Sequence, residues 1–124
     1  MPHAPSAALA GLRVLVVEDE FLIALDLLAI LDTFGCVVLG PAPTVGEALG
    51  LLAADPPDAA LLDMNLRGVR ATPVALALAA GGVPFATVTA YPGLPEAVFD
   101  GVPLVAKPFT PERVGDALLG LARR

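Results

Sequence analysis

Acidic side chains stand at two points where an apolar run of this sequence ends. Glu18 and Asp19 follow residues 12–17, and Asp63 follows residues 59–62. Short apolar runs of this kind are typical of strands in a parallel sheet that is covered on both faces. If the two strands are neighbours, three carboxylates meet, and their repulsion at pH 7 favours a divalent cation between them. Oxygen ligands with few fixed positions suit Mg²⁺.

Two further polar side chains end apolar runs. Thr89 closes residues 85–89, and Lys107 follows residues 102–106. A carboxylate nucleophile, a metal ion, a hydroxyl and an ammonium group are the parts that a phosphoryl transfer site requires. The alternative is that the acids only cap helices. Asp19 precedes a predicted helix and is expected to cap it, whereas no helix is predicted to begin at Asp63.

The elements that must position these residues alternate between strand and helix. The predicted strands and helices, in pairs, cover residues 12–17 and 20–34, 36–39 and 44–54, 59–62 and 72–80, 85–89 and 91–101, and 102–106 and 110–122. The fourth helix is expected to be short or loop-like, because its segment is rich in Pro and Gly. The alternation predicts an α/β fold with a doubly wound five-stranded parallel sheet of flavodoxin-like order 2-1-3-4-5. In such sheets function collects at the carboxyl ends of the strands.

Length and composition favour one domain that binds neither nucleic acid nor membrane. The chain has 124 residues, a net charge of −6 and one cysteine, Cys36. The negative charge argues against a nucleic-acid surface, and no apolar run reaches the roughly 20 residues of a membrane span. A single cysteine excludes a disulfide framework and favours a reducing cytoplasm. We expect a disordered tail over residues 1–11 and one domain over residues 12–124.

The motifs of this chain resemble those of the receiver (CheY-like) domain of bacterial two-component response regulators. The resemblance covers about residues 12–122 and rests on four motifs in the expected order. They are Val17-Glu18-Asp19, Leu62-Asp63, Val88-Thr89-Ala90 and Ala106-Lys107-Pro108-Phe109. Each motif is weak alone, but four together are highly specific.

The resemblance implies a role for each acidic residue and for Asn65. Asp63 is the implied phosphoacceptor, and Asp19 is an implied direct ligand of Mg²⁺. Glu18 is expected to act on the ion through water. Asn65 is expected to bind the ion through its backbone carbonyl, which leaves its side chain less constrained.

The resemblance also implies roles at the ends of the last two strands. Thr89 is expected to hydrogen-bond a phosphoryl oxygen, with Ala90 beside it in the same motif. Lys107 is expected to form an ion pair with the phosphoryl group. The peptide bond between Lys107 and Pro108 is expected to be cis, which would fix the direction of the lysine.

Some positions depart from the usual receiver pattern. Receivers usually carry Tyr or Phe three residues before the lysine, where this chain has Leu104, and a proline in the loop where it has Arg67. We hypothesise that Tyr91, or the segment near it, replaces the missing ring. The chain is similar to the stand-alone receivers named for a Phe-Ala-Thr-Gly-Tyr motif, with Ala90 in place of the glycine. The residues that carry this likeness are Pro84-Phe85, Thr89-Ala90-Tyr91 and Asp63-x-Asn65-Leu66.

The resemblance implies a sensor histidine kinase as partner, and a downstream phosphotransfer or effector protein is a further candidate. No output domain is expected after Ala122, so a transcription factor by itself is not expected. The first predicted helix is apolar on more than one side, which predicts a docking face for the kinase or for a second copy of the chain. The alternatives are a helix buried more deeply than usual and ordinary scattered leucines on the surface. The residues of the predicted docking face are Leu22, Leu25, Leu28 and Ala29.

Other functions fit the sequence less well. A haloacid-dehalogenase-type phosphatase needs a second acid two residues after its nucleophile, where this chain has Asn65. A flavodoxin needs a phosphate loop rich in Ser, Thr and Gly after its first strand, which is absent here. A binding module that has lost phosphorylation stays open because of Leu104. The favoured hypothesis is a single-domain response regulator that relays, stores or signals phosphate and is not an enzyme beyond weak self-dephosphorylation.

Overall fold

The computed structural model describes residues 5–90 and 96–123, in which strands and helices alternate. The strands are β1 (Arg13–Val17), β2 (Val37–Ala42), β3 (Ala59–Leu62), β4 (Asn65–Leu66), β5 (Val69–Arg70), β6 (Phe85–Thr89) and β7 (Leu104–Ala106). The helices are α1 (Pro5–Leu9), α2 (Phe21–Thr33), α3 (Val45–Ala54), α4 (Thr72–Ala80) and α5 (Pro111–Ala122). Within the described residues, no helix combines the length and apolar character needed to cross a membrane.

The main sheet has five parallel strands in the order β2-β1-β3-β6-β7. Counted among the strands of this sheet alone, the order is 2-1-3-4-5, which confirms the predicted flavodoxin-like fold. The register between β1 and β3 pairs Val17 with Leu62. The residues that follow, Glu18 and Asp63, therefore leave the same edge of the sheet side by side. The backbone N–H of Asp63 donates to the carbonyl of Val17 at 2.9 Å.

Two apolar cores hold these strand ends in place. Successive side chains of a strand point to opposite faces, so Val14 and Val16 pack with α2 and α5 while Leu15 and Val17 pack with α3 and α4. All four valine and leucine side chains are buried. Burying each one contributes roughly 1.5–3 kcal/mol. The acids at the end of β1 therefore stand on a backbone that is fixed from both sides.

The segment before β1 differs from the expectation of a disordered tail. Pro5–Leu9 form α1, and the side chain of Leu9 is fully buried in the core beside α2 and α5. The backbone N–H of Gly11 donates to the carbonyl of Gly35 at 2.8 Å. The expectation of disorder is wrong for residues 5–11. A helix this short is not stable by itself, and burial of Leu9 in the core stabilises it. Residues 1–4 lie outside the described part of the chain.

Two segments also differ from prediction. The second strand continues to Ala42 through a shift in its register with β1, beside Gly40, which has a φ of 99° and where an added Cβ would lie 2.7 Å from the carbonyl oxygen of Val16. The predicted loop after Asp63 contains the hairpin β4–β5. Between β6 and β7, the described residues hold only a 3₁₀ turn over Ala97–Phe99. The helix predicted over residues 91–101 is thus short in the described part of the chain, as the Pro and Gly content predicted.

Candidate functional site

Three carboxylates meet at the carboxyl ends of β1 and β3. One oxygen each from Glu18, Asp19 and Asp63 lies within 4.8 Å of the other two. The Glu18 residue is 2% exposed, and Asp63 is also buried. Negative charges held this close together, and largely shielded from water, repel one another strongly. The predicted meeting of three acids is therefore present in the structure.

Lys107 supplies the positive charge of this cluster. Its Nζ lies 3.0 Å from Oε1 of Glu18 and 3.0 Å from Oδ2 of Asp63. Its backbone N–H donates to the carbonyl of Thr89 at 2.9 Å, which ties the end of β7 to the end of β6. Burial alone would lower the pKa of Lys107, but the hydrogen bonds that its ammonium group donates to Glu18 and Asp63 outweigh this effect and raise the pKa. The ammonium group therefore stays charged at neutral pH.

The pKa of Glu18 reflects the concentration of negative charge in this cluster. Burial is the largest cause that raises the pKa of Glu18, and with the neighbouring Asp63 it brings that pKa to about 7. Lys107 and the backbone N–H of Glu20, which donates to Oε2 at 3.1 Å, act in the opposite direction. The ammonium group of Lys107 thus contacts two of the three carboxylates. A hard divalent cation such as Mg²⁺ fits this donor set, because it relieves the excess negative charge.

Both oxygens of Asp63 are held in place. Oδ2 faces the ammonium of Lys107, and Oδ1 accepts the backbone N–H of Asn65 at 3.0 Å. The side chain of Asn65 is itself constrained, because its Oδ1 accepts the N–H of Gly68 at 2.7 Å and closes the β4–β5 turn. The side chain of Asn65 therefore has a role in the turn, whereas its expected role as a metal ligand concerns its backbone carbonyl. A carboxylate oriented by two donors keeps lone pairs for attack on an electrophile.

Asp19 does not cap α2. Glu20 is the N-cap residue of that helix and makes no side-chain capping bond. Oδ2 of Asp19 instead accepts the backbone N–H of Arg67 at 3.1 Å, and Nε of Arg67 lies 4.0 Å away. The sequence pattern marks Arg67 only as a departure from the usual receiver loop. The signal that could have placed it is a two-residue Arg-Gly turn between short strands.

The other predicted site residues end the outer strands. Thr89 is buried at the end of β6, opposite Ala106 of β7, and Ala90 is exposed just beyond it. The peptide bond between Lys107 and Pro108 is cis. Leu104 begins β7 and is exposed. Tyr91, the predicted replacement for the ring, lies outside the described residues.

Comparison with solved structures identifies the family. The structure of SdrG from Sphingomonas melonis Fr1 is 40% identical, with a TM-score of 0.79, and the match covers 92% of this chain and 97% of that chain. The REC domain of the response regulator PhyR from Erythrobacter litoralis is 28% identical, with a TM-score of 0.78 and 92% of both chains covered. This chain belongs to the receiver domains of response regulators.

Longer relatives contain the same receiver fold. The response regulator PhyR from Brucella abortus is 31% identical, with a TM-score of 0.78, over 95% of this chain and 50% of that chain. The present receiver thus spans about half of that protein. SdrG has also been solved in a BeF3-activated conformation. No family model and no curated protein matches the sequence.

The predicted docking face of the receiver lies on α2. Leu22 is 75% exposed and Leu25 and Ala29 are exposed, whereas Leu28 is partly buried against the core. Phe21 extends the apolar surface at the start of the helix and is also exposed. The alternative of a deeply buried helix is therefore wrong for its first turns.

A cavity of about 310 Å³ opens between α2 and the segment that follows β7. This cavity lies beside the acidic cluster, because Lys107 lines it. Its lining residues are Ile23, Asp26, Lys107, Pro108 and Phe109.

Proposed function

We propose that this receiver takes a phosphoryl group onto Asp63 from the phosphohistidine of a sensor histidine kinase. The observation that carries the proposal is the buried Asp63 carboxylate, held between Nζ of Lys107 and the backbone N–H of Asn65 at 3.0 Å each. The neighbouring Glu18 and Asp19 make the site one that accepts a divalent cation. The BeF3-activated conformation of SdrG supports a phosphoryl-like ligand in a relative.

The metal-binding residues in this proposal are Asp19 directly, Glu18 through water, Asp63, and Asn65 through its backbone carbonyl. Mg²⁺ would neutralise charge that builds up on the phosphoryl oxygens. An oxygen of Asp63 attacks phosphorus, and the bond from phosphorus to the imidazole nitrogen breaks with its electron pair going to the imidazole. No oxidation or reduction takes place.

Residues at the ends of β6 and β7 hold the product. The hydroxyl of Thr89 donates to a phosphoryl oxygen, and Ala90 gives the group room because it has a small side chain. Lys107, which pairs with Glu18 and Asp63 before the reaction, transfers its ion pair to the phosphoryl group. We expect hydrolysis of the aspartyl phosphate to be slow, so that the domain acts as a regulator in the cytoplasm and not as an enzyme.

The partners in this proposal are proteins. The kinase docks its helical bundle on Leu22, Leu25, Leu28 and Ala29 of α2, next to the cavity that Lys107 lines. A downstream phosphotransfer or effector protein, or a second copy of the chain, then recognises the changed surface. Relay and storage of phosphate both fit this chemistry.

A second candidate function is a binding module that does not depend on phosphorylation. The exposed Leu104 favours it, because β7 carries no aromatic ring at this position to respond to Thr89. In the favoured account, Tyr91 or the segment near it takes the place of that ring. Backbone amide chemical shifts measured on binding of a phosphoryl mimic would test whether Tyr91 or its neighbours respond. Unchanged shifts over residues 91–101 would rule out Tyr91 and this segment as the replacement for the ring.

Intact-mass spectrometry after incubation with acetyl phosphate and Mg²⁺ tests the proposal. The wild type should gain one phosphoryl group, and Asp63→Asn should gain none. Asp58→Asn is the matched control, because Asp58 lies just before the other end of β3, where its Oδ2 accepts the N–H of Arg13 at 2.9 Å. A folded wild type that gains no phosphoryl group would make the binding module the better account. A gain that survives Asp63→Asn would instead show that another residue is the phosphoacceptor.

A further inference from the structure

Arg67 occupies a backbone position that does not suit an arginine. It is the first residue of the two-residue turn between β4 and β5, with φ of 54° for Arg67 and 85° for Gly68. Two successive positive φ angles define the hairpin turn in which Asn-Gly is the favoured pair. Asn65 closes the turn by accepting the N–H of Gly68 at 2.7 Å. A non-glycine residue in this region calls for a functional explanation.

The position of Arg67 is fixed by the acidic cluster itself. Its backbone N–H donates to Oδ2 of Asp19 at 3.1 Å, and its Nε lies 4.0 Å from the same oxygen. The side chain of Asp19 is 11% exposed, whereas that of Arg67 is 75% exposed. The guanidinium group thus lies beside a partly buried carboxylate and is itself largely exposed to solvent.

The charges around the site give this arginine a role that Lys107 cannot fill. The ammonium of Lys107, with 14% of its side chain exposed, is already held between Glu18 and Asp63. A phosphoryl donor carries negative charge and must approach three carboxylates on a protein of net charge −6. A solvent-facing cation at the rim lowers this repulsion and binds phosphoryl oxygens with its planar set of N–H donors.

We propose that Arg67 binds the anionic phosphoryl donor as it enters the Asp63 site, a role that rests on the proposed phosphotransfer. With acetyl phosphate as donor, an oxygen of Asp63 forms the new bond to phosphorus. The bond from phosphorus to the acetyl oxygen breaks, and acetate leaves with the electron pair. Arg67 contacts the transferred group during this step and takes no proton from it.

Second-order rate constants for phosphorylation by acetyl phosphate, measured at several salt concentrations with saturating Mg²⁺, test the inference. Arg67→Asn removes the guanidinium while keeping a residue that the turn favours. We expect it to slow phosphorylation by about three- to tenfold at low salt, and the difference from the wild type to shrink as salt screens the charges. Arg67→Lys should keep most of the rate. Arg123→Asn, at the far end of α5, removes the same charge and should react like the wild type.

Mg²⁺ affinity measured by calorimetry separates donor binding from an effect on the metal. Arg67→Asn keeps the backbone donor to Asp19 and removes a positive charge near the metal-binding carboxylates, so its Mg²⁺ affinity should be no lower than that of the wild type. A rate equal to that of the wild type, an equal loss in Arg123→Asn, or a fall in Mg²⁺ affinity in proportion to the rate would each overturn the role of Arg67. Absence of phosphorylation in the wild type would instead overturn the proposed function, and this inference with it.

Discussion

The substitution Glu18→Gln should stabilise the metal-free protein at alkaline pH. Burial raises the pKa of Glu18 from its ordinary value of 4.5 to about 7. Between these values the folded state binds a proton that the unfolded state has lost, so the free energy of unfolding falls as the pH rises. Integrated from pH 5 to pH 8, the loss is about 2–3 kcal/mol. Glutamine stays neutral and should remove this loss.

Urea unfolding in EDTA at pH 5 and pH 8 measures the effect. The wild type should lose about 2–3 kcal/mol over this range through Glu18, and Glu18→Gln should change much less. Glu20→Gln is the matched control, because Glu20 is exposed two residues further on and should follow the wild type. Parallel losses in the wild type and Glu18→Gln would refute the argument. Added Mg²⁺ should then stabilise the wild type more than the variant, since the wild type has more negative charge to neutralise.

Three further predictions follow from the fold and the docking face. Gly40→Ala should destabilise the protein by at least about 2 kcal/mol, because its Cβ would meet the carbonyl of Val16 at a positive φ; an unchanged urea midpoint would contradict this. Leu9→Ala should lower the free energy of unfolding by about 2–4 kcal/mol, because Leu9 is fully buried. An unchanged free energy of unfolding would instead support the expectation of a disordered tail. Leu22→Glu with Leu25→Glu should abolish phosphotransfer from the kinase and leave phosphorylation by acetyl phosphate intact; unchanged transfer would exclude this face. Leu28 is unsuitable for that test because it packs partly against the core.

The placement of the main site residues could be predicted because it depends on strand ends. An apolar run that stops at a polar residue marks where a buried parallel strand reaches the edge of its sheet. Sheet order then brings Glu18 next to Asp63 and Lys107 next to Thr89. None of these steps requires knowledge of a side-chain rotamer. The spacing of the apolar residues, and the residues that end each apolar run, were sufficient to predict this part of the fold.

The missed features depend on contacts between distant segments. Leu9 is ordered by burial against α2 and α5, which the local sequence of a short alanine-rich segment does not show. Asp19 had a local capping role available, but it instead accepts a hydrogen bond from Arg67, 48 residues further along the chain. The β4–β5 hairpin has only two residues in each strand, too few for an alternating pattern.

The same charge imbalance links the stability of this receiver to its proposed chemistry. Three carboxylates around one ammonium group cost stability in the metal-free protein, as the pKa of about 7 for Glu18 indicates. That cost would also favour a bound cation, because a ligand that relieves a repulsion gains the free energy the fold had lost. A phosphoryl donor, being anionic, meets the opposite problem at the same place. An exposed cation at the rim reduces the repulsion of the donor. Arg67 supplies this cation from a turn position better suited to asparagine, where its backbone N–H donates to Asp19.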